Sequence, residues 1–495
     1  MHPVDLSIFV LYVVGLLGFG YFFFQRNKSG DDYYVGGRKM NSLHIGLSVV
    51  ATDVGGGFSI GLGGLGFVMG LSGSWMLFTG LIGAWLAAVF LIPKVKRNPA
   101  FDKAYTFPQV FAHYYNPNVA LVAAVISAVG YAGFTSSQML AGAKLASGTF
   151  ADLDLSTALY LMGTVAVLYT VLGGLKAVIY TDTIQWTILM TGLLLVGVPF
   201  AYSAIGGIEA IRATVEPEML TLTNLAWQDV VYWSVTIIPI WFVGMTLYQR
   251  IYASRDEKTA KKAWYLAGFF EWPVMAFLGV LLGLFARVAA DQGMFEYLGA
   301  ADLSATDPET GLPMLLRTVL PTGFLGVMMA AYFSAILSTA DSCLMASSGN
   351  VVTDIIGRFR KFNPDSPGFV RTSQVATLII GVLALLLAGV MTNVLDLMLD
   401  SYAFMVSGLF VPVVGALYWK KSTPAGAMAA MILGGFTTVS LRYLGIELPY
   451  SLDPNVFGIS VSAISFIIVS LIAGNKPSEQ NRKPDDVTQV NRQTG

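Results

Sequence analysis

Apolar runs long enough to cross a lipid bilayer recur along this 495-residue chain, and no other feature constrains its fold as much. A helical crossing needs about 20 mostly apolar residues. Hydrocarbon offers no hydrogen-bond partner to an open backbone, so such runs must become helices. By this measure 13 spans are expected, at about 5–24, 42–70, 72–93, 119–147, 156–175, 178–203, 229–252, 263–289, 321–350, 369–390, 395–419, 423–444 and 455–474. The first, "DLSIFVLYVVGLLGFGYFFF", is full length, lacks a basic leader and has no A-x-A site, so it reads as a span and not as a cleaved signal. Composition agrees: 12% of residues are charged, against about 25% in a soluble domain. The net charge of −1 gives no general pull toward nucleic acid, and a single cysteine, Cys343, allows no internal disulfide.

The loops fix an orientation. Short loops rich in Lys and Arg stay in the cytoplasm. Every odd-numbered span with a loop to test is followed by a basic segment, including Arg26 and Lys28, Lys94 to Arg97, Arg255 to Lys262, Arg358 to Lys361, and Lys420 with Lys421. Intervening loops carry Glu209, Glu216 and Glu218, or Asp291, Glu296, Asp302, Asp307 and Glu309. Thirteen spans, with the N-terminus outside and the C-terminus cytoplasmic, satisfy this alternation. Residues 1–474 then form one transmembrane domain, and 475–495 a polar, disordered cytoplasmic tail.

Two spans are interrupted. "ATDVGGGF" places Asp53 beside Gly55, Gly56 and Gly57, and "TIIPIWFVGMT" places Pro239 and Gly244 at mid-depth. Glycines in spans also serve close helix packing, the better reading for Gly61, Gly63 and Gly64. At Gly55–Gly57 unwinding fits better. The interrupted spans are five apart, the second and the seventh. Paired interruptions at matching positions of two repeats, here about 42–203 and 229–419, point to a transporter binding site.

Ionisable residues within spans are functional candidates by default. Asp53 lies in the first interruption, Asp182 in "YTDTIQ", and Asp341 in "SAILSTADSCLMASS" with Ser334, Ser338, Thr339 and Ser342. Ser and Thr in a span usually bond back to their own helix, but this density of hydroxyls around an acid is unusual. Ser338 and Thr339 stand three and four residues after Ala335 and face the same way as its carbonyl. Hydroxyls, carboxylates and freed carbonyls suit a hard alkali cation. They predict a sodium site between spans 2 and 9. The three histidines are scattered and no P-loop is present, so neither catalysis nor ATP drive is expected.

"YTVLGGLKAVIYTDTIQWTILMTGLLLVGVPFA", "GFLGVMMAAYFSAILSTADSCLMASS" and "YQRIYASRDEKTAKKAW" resemble the sodium:solute symporter family, over about residues 5 to 440. The resemblance implies an all-α membrane protein with a leucine-transporter-type five-plus-five inverted-repeat core, one extra N-terminal helix and two extra C-terminal helices. It implies a main sodium site from the carbonyls of Ala51, Val54 and Ala335 and the hydroxyls of Ser338 and Thr339. It matches Asp182 to an acid of a second sodium site, with Asp341 and Ser342. Asp341 stands where those members carry serine, so it serves either an extra-acidic sodium site or a proton-sharing or structural pair. Asp53 matches an acid that serves coupling in proline-type carriers; choline-type members carry an aromatic there.

A midplane solute pocket against both broken helices would draw on Phe58, Ser59, Trp75, Thr79, Ser137, Gln138, Trp241, Met245, Tyr402 and Phe404. Each is individually more often core or lipid-facing. Lys144 is the only base read at depth, and near the outer end of span 4 snorkelling is its simple alternative. Acids and aromatics without arginine favour a small neutral or zwitterionic solute, such as the amino acid proline. The expected protein is thus a sodium-coupled importer in a cell membrane, the inner one in a bacterium, with solute, sodium and lipid as partners and no obligate protein partner. Symport of a sugar, pantothenate, sialic acid or choline, proton coupling, a solute-sensing module and an ion channel are the alternatives.

Overall fold

The computed structural model describes residues 2–25, 29–53, 55–150, 153–300, 304, 306–360 and 362–474, with the side chains of Phe58 and Ser59 among those not described. Arg26, Lys28, Asp302, Lys361, Val54 and the expected tail therefore lie outside the described residues. Among the described residues the chain is helical throughout, and its one extended pairing is an isolated bridge between Met40 and Ser254.

The principal helices are α1 (Pro3–Phe24), α2 (Ser42–Asp53), α3 (Gly56–Met69), α4 (Trp75–Leu86), α5 (Pro117–Thr149), α6 (Leu155–Gly192), α7 (Trp227–Val243) and α8 (Met245–Ala253). There follow α9 (Glu257–Phe270), α10 (Phe277–Asp291), α11 (Pro308–Val319), α12 (Phe324–Gly349), α13 (Pro367–Ala388), α14 (Val394–Tyr418), α15 (Pro424–Leu444) and α16 (Pro454–Ala473). Eleven helices among the described residues are long and apolar enough to cross a membrane, and α7 with α8, bent by 41° at Gly244, makes twelve. The expected span at 42–70 is the one outside this number. Its halves α2 and α3 are each too short to cross, and α3 runs on through a 3₁₀ turn into the helix that holds span 3. The expected spans at 156–175 and 178–203 share α6, which kinks at Gly174 where φ is +67°. This is an integral membrane protein.

The sequence marks where helices start. Asn116-Pro117, Asp307-Pro308, Ser366-Pro367, Thr423-Pro424 and Asp453-Pro454 each set a capping side chain before a proline. The cap accepts a free amide of the first turn, and proline has no amide to leave unpaired. Asn116 Oδ1, for example, accepts from the amides of Asn118 and Val119, both at 3.0 Å.

Burial sorts the helices. From Met328 onward α12 is buried on all sides and forms the axis, packed by α5 and α6. α1, α13 and α16 leave wide apolar faces exposed, as helices facing lipid do. Even so, α1 is tied to the axis: Asp5 Oδ1 accepts the amides of Gly323 (2.7 Å) and Gly326 (2.8 Å) at the start of α12. Lys144 is not a snorkelling lysine. It is buried, and its Nζ donates to Asp307 and Glu309, both at 2.7 Å. Glu309 in turn accepts the amides of Val394 and Leu395, anchoring the first turn of α14.

Candidate sodium and solute site

The first interruption builds the site. Between Asp53 and Gly56 the chain leaves the helix, with Gly55 at ψ −159°. A Cβ on Gly55 would stand 1.9 Å from Thr339 Oγ1, and one on Gly56 2.6 Å from Ala141 Cβ. These glycines therefore serve both unwinding and close approach. Gly61, Gly63 and Gly64 serve packing, with a Cβ on each facing Leu395, Leu312 or Glu309 at 3.1–3.2 Å.

Thr339 Oγ1 donates to the carbonyl of Ala51 at 2.9 Å, and the Ala335 carbonyl lies 3.4 Å away. Three of the oxygens expected around sodium thus converge on the break, though Val54 falls outside the described residues. The Ser338 hydroxyl points elsewhere: it donates to Asp182 Oδ1 at 2.5 Å, while Ser48 donates to Oδ2 at 2.5 Å. Asp341 accepts from Thr170, which lies on the other side of the Gly174 kink of α6 from Asp182. Ser342 pairs with Thr52 at 3.2 Å.

Arginine is not missing from this depth. Arg250 on α8 is fully buried, and its guanidinium donates to Ser48 (3.1 Å), Ser342 (2.9 Å), the Thr246 carbonyl (3.1 Å) and Thr52. It lies 3.7 Å from Asp182 Oδ2. Sequence reading counted Lys144 as the only base at depth and did not single out Arg250 near the end of span 7. It stands six residues past Gly244 on α8, whose buried face carries it inward.

The second interruption faces the first. α7 passes unbroken through Pro239 and stops at Gly244. Tyr131 Oη on α5 reaches this break, accepting from the Thr246 amide at 3.3 Å and bonding the Thr246 hydroxyl at 3.1 Å. Tyr402 Oη donates to Asp53 Oδ1 at 3.5 Å, and its ring stands edge-on to Phe134 at 4.9 Å. Gln138 borders the break, with Oε1 2.8 Å from where a Gly55 Cβ would lie. The Ser137 hydroxyl bonds its own helix at Phe134.

Other expected pocket residues are dispersed. Trp75 donates to the Leu222 carbonyl in a loop, and Thr79 to the Met76 carbonyl of its own turn. Trp241 packs on Gly83 and Trp264. Met245 Sδ accepts the Phe107 amide. Phe404 lines a crevice of about 540 Å³ with Asp396, Asp400 and Arg442. Glu271 escaped sequence reading: fully buried, it lies beside Asp53. The signal was there, an acid inside the apolar run "GFFEWPVM".

The profile of the sodium:solute symporter family matches residues 33–434. The chain belongs to the sodium:solute symporter family. It is a transporter and not an enzyme, and sodium is the ion to which its transport is coupled. It is 28% identical to the osmoregulated proline transporter OpuE of Bacillus subtilis (strain 168), over 93% of each chain. It is 25% identical to the sodium/proline symporter of Escherichia coli (strain K12), over 97% of this chain and 95% of that one. Among solved structures it resembles a substrate-bound, outward-open Na+-coupled sialic acid symporter, with a TM-score of 0.79 at 20% identity over 97% and 99% of the two chains. It shares its fold more distantly with Mhp1, a nucleobase-cation-symport-1 family transporter (TM-score 0.55, 11% identity, 90% and 94% covered).

Proposed function

We propose that this symporter imports a small neutral or zwitterionic amino acid, proline by preference, coupled to sodium by alternating access. The observation that carries the reading is the Thr339 hydroxyl set against the Ala51 carbonyl at the break of the α2–α3 pair. An interrupted helix frees carbonyls at depth, and a hydroxyl from a neighbouring helix completes an oxygen cage. We assign the main sodium position to Ala51, Val54, Ala335, Ser338 and Thr339, with Ser338 turning from Asp182 to join. Asp182, Asp341 and Ser342 would form a second position once Arg250, whose charge now neighbours Asp182, withdraws. Asp53 serves coupling. Gln138 and Tyr402, both at the break, lead the solute contacts. The curated relatives named for proline support the solute.

The same reading takes the architecture as 13 crossings with a leucine-transporter-type five-plus-five core, repeats at about 42–203 and 229–419, in one domain with a cytoplasmic tail. It places the protein in a bacterial inner membrane, N-terminus outside, and needs no protein partner. In proteoliposomes, proline uptake is expected to require an inward sodium gradient and to collapse in Thr339→Ala. Uptake indifferent to both changes removes the sodium assignment.

A further inference from the structure

We propose that Asp53 and Glu271 together hold the cationic amine of the transported solute; this deepens the symport reading and rests on it. Glu271 opens a π-helical turn, Glu271–Ala276, between α9 and α10. Such turns redirect one side chain and recur at functional sites. Here the redirected side chain is fully buried and meets the Asp53 carboxyl. Apart from each other, Glu271 and Asp53 Oδ2 have no hydrogen-bond partner. None of the ion pairs among the described residues includes either carboxyl: Arg250 engages Asp182, and Lys144 engages Asp307 and Glu309.

Two carboxyls at membrane depth, served only by the Tyr402 hydroxyl, are expensive; a shared proton removes one charge, and the charge that remains calls for a cation. The C-terminal end of α2, which carries partial negative charge, stops at Asp53 and adds to the demand. The space is prepared from the other side as well: a Cβ on Gly80 of α4 would lie 2.2 Å from Glu271 Oε2.

The occupant is an amine and not a second alkali ion. Sodium has its own oxygens at Ala51, Ala335 and Thr339. Carboxyl oxygens left without a partner outside the pair match the several N–H donors that a protonated amine presents. The Tyr402 and Phe134 rings stand next to Asp53, where a cation gains from aromatic faces. A sugar, or an acid with no amine, satisfies none of these groups.

The test uses the purified full chain with proline and with tetrahydrofuran-2-carboxylate, in which ring oxygen replaces the amine. With sodium, the wild type is expected to bind proline at least about tenfold more tightly than the oxygen analogue. Glu271→Gln and Gly80→Ala, which disturb the same carboxyl from opposite sides, should each weaken proline by about tenfold or more. Both should keep the thermal stabilisation by sodium alone, which also reports that they are folded. Equal binding of the two probes, or unchanged proline affinity in the folded variants, overturns the proposal. Loss of the sodium-only stabilisation in both variants gives the pair to an alkali ion and overturns it too. Sodium-driven uptake of glucose with no recognition of proline overturns it while leaving symport standing. Absence of any sodium-driven uptake in the wild type is the separate failure of the symport reading.

Discussion

Arg250 shows how much one side chain can organise. Its guanidinium gathers α2, α8 and α12 through Ser48, Thr52, the Thr246 carbonyl and Ser342, and leaves its charge beside Asp182. Arg250→Met should destabilise the protein by about 3–5 kcal/mol, because it leaves Asp182 buried without a cation. Thermal unfolding in detergent reads this, and Arg250→Met with Asp182→Asn should recover part of the loss. Arg250→Lys should rescue less than charge alone predicts, since an ammonium cannot reproduce the planar fork. Arg250 and Glu271 mark what the sequence left obscure. Asp53, Asp182, Ser338 and Thr339 were legible because acids and hydroxyls stand out in apolar runs. Arg250 was hidden by its neighbourhood of loop cations, since depth depends on how far α8 continues beyond a bend. Whether Ser338 faces sodium or Asp182 depends on partners brought from α6, which spacing along α12 does not specify.

At the scale of the element, the starts of helices were the more readable end. A cap followed by proline is a local code, whereas the meeting of two helices depends on the whole packing. Gly283 of α10 illustrates the second case: a Cβ there would lie 2.0 Å from the Gly63 carbonyl. Gly283→Ala should cost about 1–3 kcal/mol by overpacking. Gly15→Ala on α1, where nothing lies within 4 Å, should be neutral or mildly stabilising. The same unfolding assay separates the pair. The caps carry a pH dependence. Hydrogen bonds from Thr157 hold the Asp154 carboxyl below the usual carboxylate range. A depressed folded-state value means support that is present above the unfolded value and lost as pH falls through the folded one. Hydrogen exchange in the first turn of α6 should therefore show falling protection on acidification, and Asp154→Asn should remove that dependence.

For the whole molecule, the alternation of basic and acidic loops makes the strongest claim about topology. A reporter active only in the cytoplasm, fused after residue 474, should be active, and one placed in the loop around Glu216 should be silent. The reverse pattern overturns the orientation. The proposed pair of repeats left only two interruptions as its trace in the sequence. The interrupted spans themselves were located correctly to within a few residues, because glycine clusters and an acid are rare inside a bilayer run. Their geometry was not legible: α7 tolerates Pro239 and yields at Gly244, where Tyr131 arrives from α5 to take the freed amide.

The bond from Asp5 to the start of α12 joins residues 318 positions apart. A ribosome adds about 5–20 residues each second, so α1 enters the membrane roughly 15–60 seconds before its partner has been made. During that interval the Asp5 carboxylate must stay hydrated at the bilayer surface, which keeps α1 from settling deeper. α1 is thus secured only once the start of α12 exists to offer the amides of Gly323 and Gly326.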